Sequence, residues 1–416
     1  MKSKELKEVG YLYLIQIVNF VLPVFLMTYL VKILGLDGYG KLSIYQISSL
    51  LMIFIVDFGF NQSSAQKFAV SDAGDRDKIF NNTQSIKFFI SIFIIIFTVF
   101  FLSFDFFSFS DIDKNILLIS SLTTLGTVLS SAWLYQAIGK NSALALITVF
   151  FRLISFFLII FTVKVKDDLM YCIWVQFFSS ILIGFFSLCY LIRIKITAID
   201  YKLFDLSYSF LLVRDSYHIF LASSITLGFT YLNPLFVKYF FGDAFLGLYS
   251  IADKISSTLK MVFGPFIQAF YSKFCTLANQ HKYWESIKLS SKIITFFLVV
   301  SFIGFLLNIW IGNYIYNLFF SHVEELIKLM NIMILSQAVV GVAMVLVNLN
   351  IIPLGRAFVL KRLYLIGLFF HFTYLYFLIS NYGVYGIALS VFLTELILVF
   401  LFALYLFFYF KGNKDI

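Results

Sequence analysis

Charge is scarce in this 416-residue chain: 13% of its residues are Asp, Glu, Lys or Arg, against 61% hydrophobic. A water-soluble domain carries about a quarter charged residues, so this balance excludes an ordinary soluble fold. Histidine and cysteine are scarcer still. The four histidines, His218, His281, His322 and His371, stand at no ligand spacing, and no H-E-x-x-H occurs. Cys172, Cys189 and Cys275 show no paired or metal-ligand spacing. No metal and no cofactor is expected. The net charge of +9 is not gathered on one polar segment, so no nucleic-acid partner is expected either.

What fills the chain instead is apolar and aromatic, with 55 Phe and 25 Tyr. Apolar runs lie at 10–31, 42–61, 85–104, 115–137, 142–163, 169–192, 216–240, 255–277, 293–319, 327–350, 363–380 and 386–409. Each is long enough to cross a hydrocarbon core of about 30 Å as a helix. Backbone polar groups in lipid must be satisfied within the segment or in a closed barrel, and these runs are far too long for barrel strands. The expected fold is an all-α polytopic membrane protein of about twelve spans. The first run is too long for a signal-peptide core and lacks a small-residue cleavage site, so it is expected to stay as a span.

Sidedness follows from Lys and Arg. With both termini cytoplasmic, the inner connections hold the large majority of the 31 basic residues, while Asp and Glu divide evenly. The longest connection, 193–215, then lies on the cytoplasmic side. It separates an N-terminal six-helix bundle (1–192) from a C-terminal one (216–416). Lys202, Asp205 and Arg214 alternate there with Leu203, Phe204, Leu206 and Phe210. That mixture suits a segment lying on the surface better than a flexible tether. No outer connection is long.

One short pattern occurs once in each half. Gly35, Gly40, Ser43 and Ile44 read G-x4-G-x2-S-I, and Gly242, Gly247, Ser250 and Ile251 repeat it. Each copy follows a run ending in Val-Lys, at Val31-Lys32 and Val237-Lys238. Halves repeated in one orientation, related by a pseudo-two-fold along the membrane normal, are how many secondary transporters are built. The first copy also imitates a phosphate-binding loop through Lys41, but Leu42 stands where Ser or Thr would bind magnesium. No strand precedes it, and it falls on the outer side. It is expected to be a tight turn between helices, with no ATP site, so transport would run on an ion gradient or the substrate's own. Asn81-Asn82-Thr83 has the N-x-T spacing of a glycosylation acceptor at Asn81, but it falls in a cytoplasmic connection by this topology.

Charges within spans are the candidates for chemistry, because a charge at mid-bilayer is expensive and marks a pathway or an internal pair. Arg152 lies near the middle of the fifth span, His371 of the eleventh and Glu395 of the twelfth, with Lys260 inside the eighth. Asp57 and Lys87 lie near cytoplasmic ends. Lys87 is expected to snorkel to the surface, and Asp57 to end a helix, paired with Lys87 or a neighbouring basic residue. Glu395 and His371, on consecutive helices, are either a structural pair or working groups. Arg152 offers a fork suited to phosphate, or pairs with an acid. Gln16, Asn19 and Pro23 are expected to interrupt the first span, and Asn233 and Pro234 the seventh, which is the usual sequence pointer to a transporter site.

Several motifs together resemble bacterial O-antigen flippases of the Wzx type, in the polysaccharide branch of the multidrug/oligosaccharidyl-lipid/polysaccharide exporter superfamily. They are Leu34-Gly35 through Tyr39-Gly40, Asp57-Phe58-Gly59, Trp133-Leu134-Tyr135-Gln136, Gly247-Leu248-Tyr249-Ser250 with Ala252-Asp253-Lys254, and Gly383-Val384-Tyr385-Gly386. They occur in order over essentially the whole chain. Ala137 replaces the Gly that relatives often show after the Gln, so Trp133 and Gln136 are not taken as a site. The resemblance implies a bacterial inner-membrane flippase rather than an enzyme. Its cargo would be undecaprenyl-diphosphate-linked oligosaccharide units, moved outward by alternating access on a proton or sodium gradient, in contact with a polymerase and a chain-length regulator. On that basis Arg152, Lys260, Asn19 and Asn233 are expected to bind substrate, and Glu395, Asp57 and His371 to couple the gradient. A drug/cation antiporter of the same fold would present acids in excess within its spans. An O-antigen polymerase or ligase would carry a large outer loop, and a peptidoglycan-precursor flippase two further spans.

Overall fold

A computed structural model describes the backbone of residues 3–104, 110–320 and 323–412. Side chains are described from residue 21 on, apart from those of 73, 201, 222, 226, 229, 230, 261, 262, 265 and 323. Among the described residues every regular element is helical, as the need to close backbone bonds within lipid requires. The chain forms two compact units, residues 1–224 and 225–416. Unit 1 holds α1 (Ser3–Asp57), α2 (Phe60–Val70), α3 (Ala73–Ser103), α4 (Asp111–Ser130), α5 (Ala132–Ala137), α6 (Asn141–Thr162) and α7 (Leu169–Arg193), followed by most of α8 (Leu206–Tyr231). Unit 2 holds α9 (Asn233–Ser256), α10 (Thr258–Asn279), α11 (Tyr283–Trp310), α12 (Gly312–Phe319), α13 (Val323–Met344), a π-helical stretch (Val345–Ile351), α14 (Phe358–Tyr382) and α15 (Val384–Gly412). Among the described residues ten stretches are long and apolar enough to cross a membrane, and the first, Val21–Val70, is 50 residues long.

The repeated glycine is what bends the chain between passes. Gly35 breaks α1 at φ 72°, ψ −179°, and Gly242 breaks α9 at φ 84°, ψ −174°. Positive φ with extended ψ is open essentially to glycine alone. Nothing lies within 4 Å of where a Cβ would stand at either position. Backbone angle, and not space, therefore reserves both sites for glycine. The phosphate-loop imitation is a one-residue bend after which the helix resumes. The expected interruptions differ between the halves. Pro23 sits inside an unbroken turn of α1, whereas α8 stops at Tyr231 and α9 restarts at Asn233-Pro234. Gln16 and Asn19 lie on α1, but their side chains are outside the described residues.

Each unit surrounds one central helix. The stretch Asp111–Ala137, α4 with α5, and the stretch Glu324–Ile351, α13 with the π turn, are each 56% buried over their most apolar window, more than any other span. Freed from lipid, α4 can afford small polar side chains. Ser120, Thr123 and Thr124 are buried and return their hydroxyls to carbonyls of their own helix. A Cβ on Gly126 would collide with Ser180 of α7, so the two backbones meet as closely as small-residue membrane interfaces allow. Beneath α5, Trp133, Leu134 and Tyr135 are fully buried with Phe68, Phe80 and Leu191, which accounts for that motif as core.

The connection between halves is strapped down. From the start of α3, Asp77 accepts from Thr197 and from the Ala198 amide at 3.2 and 3.1 Å. Asn81 donates to Ala198 O at 2.9 Å and accepts from Asp200 N at 2.9 Å. Asn82 donates to Leu203 O at 2.8 Å and accepts from Asp205 N at 2.8 Å. Asp205 caps α8 through the Ser207 and Tyr208 amides and pairs with Lys78 at 3.1 Å. Further along, Lys67 pairs with Asp215 at 2.5 Å, Ser63 meets Ser216 at 2.6 Å, and Phe58 stacks on Phe220 at 4.4 Å. These contacts hold the first turns of α8 to unit 1, and the boundary between units falls at Ser224/Ile225, within that helix.

Candidate functional site

In unit 1 the charge inside the membrane is matched. Lys87 Nζ donates to Asp57 Oδ1 at 2.7 Å, and Asn61 Nδ2 donates to Asp57 Oδ2 at 2.9 Å. Lys87 is 1% exposed and Asp57 20%. The expected snorkel is thus corrected: with a carboxylate at the end of α1 facing α3, the ammonium finds a partner closer than the surface. Above this pair a column of hydroxyls runs through the unit, with Ser91 on Thr124 at 2.6 Å and Tyr45 on Thr123 at 3.1 Å. Arg152 lies on α6, one residue after buried Phe151, with an exposed side chain. Asn19 lies outside the described side chains.

Unit 2 joins two of the expected residues directly. His371 is 0% exposed and Asn233 1%. The His371 Nε2 lies 3.1 Å from Asn233 Oδ1, and Nδ1 lies 2.7 Å from Thr394 Oγ1. Thr394 also donates to Ser390 O at 2.6 Å and meets the Tyr374 hydroxyl at 2.5 Å. Thr394 has one proton for these neighbours, so the tautomer of His371 and the hydroxyl directions are tied together. The break between α8 and α9 is what brings Asn233 to the imidazole. Of the expected Glu395–His371 pairing, the structure uses the chain neighbour Thr394 for the ring.

Glu395 points elsewhere in the same unit. It is half-buried, and Lys260 of α10 lies near enough to act on it electrostatically, as do Tyr364 and Tyr374. Lys260 acts also on Asp253, which is followed by Lys254. Among the described residues none of these four charges makes a contact ion pair. Lys238 and Asp243, by contrast, close on one another at 2.9 Å across the Gly242 bend. The sequence placed Lys254 in an outer connection because the apolar run was read as starting at residue 255. In the structure α9 runs on to Ser256 and α10 follows at once, so Asp253 and Lys254 belong to a span. The helical spacing of Asp253 and Lys260, two turns apart, was the available signal. No group of three or more His, Cys, Asp or Glu positioned to hold a metal occurs among the described residues.

Comparison with known proteins agrees with this architecture. Residues 6–271 match the family described as polysaccharide biosynthesis protein. A protein of Shigella dysenteriae provisionally named O-antigen transporter is 24% identical over 401 residues, covering 94% of this chain and 98% of that one. A provisionally named O-antigen transporter of Escherichia coli K12 is 25% identical over 270 residues, 64% of each chain. Among solved structures, an inward-facing multidrug transporter of the MATE family superposes with a TM-score of 0.76 at 11% identity, covering 96% of both chains. The lipid II flippase MurJ in an inward closed conformation gives 0.72 at 17% identity, over 96% of this chain and 87% of its own. The likeness to these structures shows the fold, an all-helical polytopic bundle. With 266 consecutive residues under one family model and that fold beneath them, the chain belongs to the polysaccharide biosynthesis protein family.

Proposed function

We propose that this protein is a flippase, carrying the head group of an undecaprenyl-diphosphate-linked O-antigen or polysaccharide repeat unit from the cytoplasmic to the periplasmic leaflet. It does so by alternating access between its two units, as a multi-pass protein of the bacterial inner membrane with both termini cytoplasmic. The observation that carries this is the pair Lys260 and Glu395, set within electrostatic reach in membrane helices without a contact ion pair among the described residues. A contact pair would be structural. An open pair leaves an ammonium free to meet a diphosphate by charge-assisted hydrogen bonds, and a carboxylate free to take up a proton or sodium ion. Arg152 supplies a second cation, and Asn233 with Asn19 supplies polar contacts for sugars. His371 shares the coupling role with Glu395, whereas Asp57 is closed in contact with Lys87, and the lipid tail stays in the bilayer. The names borne by the relatives support the same cargo. A polymerase and chain-length regulator would receive the product.

Deletion of the gene in its native host, with rescue by the wild type, Arg152→Ala or Glu395→Gln, tests this. The expected result is loss of polymerised surface polysaccharide, with lipid-linked units accumulating on the cytoplasmic side. Neither variant should rescue. Units that reach the outer leaflet unpolymerised would make the protein a polymerase and end the proposal. Full rescue by both variants would leave a flippase whose buried charges are structural.

A further inference from the structure

The end of the α10–α11 hairpin carries a feature that transport does not use. Lys273 of α10 and Lys288 and Lys292 of α11 surround a notch of about 150 Å³, floored by Leu277 and Leu289. Glu285 also lines it, but its carboxylate is engaged by Lys282 at 3.5 Å. The three lysines are exposed and make no ion pair among the described residues. Three ammonium groups against one carboxylate leave the notch with a net positive charge, so their convergence around an apolar floor asks for an anion.

The same two helix faces continue into the membrane as aromatic surface. Phe266 lies two turns before Lys273 on α10, and Phe296 one turn after Lys292 on α11. Their rings pack at 4.8 Å, and 36% and 41% of the two residues stay exposed. At the other end, Trp284 is 76% exposed at the start of α11, where an indole marks the interface between lipid and water. Beneath the notch α11 is pinned to the π-helical stretch: Asn350 donates to Ser290 at 2.9 Å and accepts from Ser286 at 3.1 Å. The π turn thus fixes the register of the lysine face.

We infer that this notch is a binding site for an anionic glycerophospholipid, its phosphate held among Lys273, Lys288 and Lys292 and an acyl chain lying along Phe266 and Phe296. A soluble phosphate would have no use for the aromatic continuation. Basic notches between membrane helices on the cytoplasmic side take such head groups, and the Lys and Arg distribution puts this hairpin end on that side. The inference stands apart from the cargo, because Lys260 and Glu395 line no part of the notch.

Purified full-length protein in neutral detergent, titrated with dioleoyl-phosphatidylglycerol or dioleoyl-phosphatidylcholine and read by native mass spectrometry, decides it. Wild type is expected to prefer phosphatidylglycerol by about ten-fold or more. Lys273→Gln/Lys288→Gln/Lys292→Gln should abolish that preference, while the charge-matched Lys140→Gln/Lys202→Gln/Lys411→Gln keeps it. Equal loss in both triples would overturn the site in favour of general surface charge. Equal competition by soluble glycerol phosphate would overturn the lipid. Ten-fold stronger competition by undecaprenyl phosphate would assign the notch to the cargo route and also overturn it. If the triple variant does not fold, Lys292→Gln alone decides: about three-fold weaker phosphatidylglycerol binding is expected, and unchanged binding overturns the site.

Discussion

The two units repeat one plan and treat their charges in opposite ways. Unit 1 closes its membrane charge into contact, Lys87 on Asp57 at 2.7 Å with Asn61 completing the carboxylate. It is also the unit that grips the connection, through Asp77, Asn81 and Asn82. Unit 2 also closes Lys238 on Asp243 at the Gly242 bend, but it gives its most buried contact to uncharged partners, Asn233, His371, Thr394 and Tyr374, and holds Lys260, Glu395 and Asp253 near one another without closure among the described residues. A contact pair removed from water is stable only while both partners remain. An open one must be completed by water, an ion or cargo. The contrast assigns rigidity to the first arrangement and exchange to the second.

The largest test of that contrast removes one partner from the closed pair. Lys87→Met leaves a carboxylate without its cation and is expected to cost about 3–5 kcal/mol, read as a lower Tm of the purified protein. Adding Asp57→Asn should recover most of the loss, since both charges then leave together. A single variant with wild-type Tm would mean that the pair does not hold α1 to α3. Next come the matched bends. Gly35→Ala and Gly242→Ala each force a side chain into a glycine-only conformation, at a cost of roughly 1–3 kcal/mol. Similar losses are expected in the two units, because the angles agree and neither site is crowded. A large loss at one and none at the other would break the equivalence. In the open arrangement, Glu395→Gln removes a half-buried charge that has no contact partner among the described residues. Its Tm should stay level or rise, within about 0.5 kcal/mol, while transport falls. A loss as large as that of Lys87→Met would show Glu395 to be structural.

How far these features could be read from sequence depended on whether their cause is local. The bend at Gly35 was legible because its spacing recurs at Gly242, and backbone angle is a property of the residue itself. The central helix of each unit left a trace in its polar residues, Ser120 to Thr124 in one and Gln337 with Asn348 in the other, since a helix hidden from lipid need not be apolar throughout. The snorkel of Lys87 was misjudged, although its pairing with Asp57 was among the alternatives, because a lysine near a helix end looks exposed until the distant Asp57 is folded beside it. Asn81 and Asn82 looked idle because their partners, Ala198 to Asp205, lie in a segment with no periodicity to align. Asp253 and Lys254 were placed outside a span because polarity marked a boundary that the backbone ignores. His371 was visible as a buried titratable group. Asn233 was visible as a helix interruption, and only the fold shows that they meet.

The smallest expected effect concerns the strap itself, which has no counterpart identified in unit 2. The Tyr208 amide, then Lys78, hold the Asp205 carboxyl below its ordinary value of 3.8, and the group lies outside the membrane spans. A carboxyl lowered by folding adds stability that is fully present above its unfolded value and disappears as pH falls through the folded one. Asp205→Asn keeps an oxygen to cap α8 but surrenders the ion pair with Lys78. Wild type should therefore protect 194–205 from proteolysis slightly better than Asp205→Asn at neutral pH. That margin should hold down to about the unfolded value and shrink to nothing below the folded one. Because Lys78 and Asp205 are both partly exposed, the margin should also narrow with added salt, as exposed pairs do. The bonds from Asn81 and Asn82 carry no charge, so Asn82→Ala should be cleaved faster than wild type at every pH, by a margin that salt leaves unchanged. If acid loosens wild type and Asp205→Asn alike, with no convergence, the titrating group lies elsewhere and the strap is held by its asparagines alone.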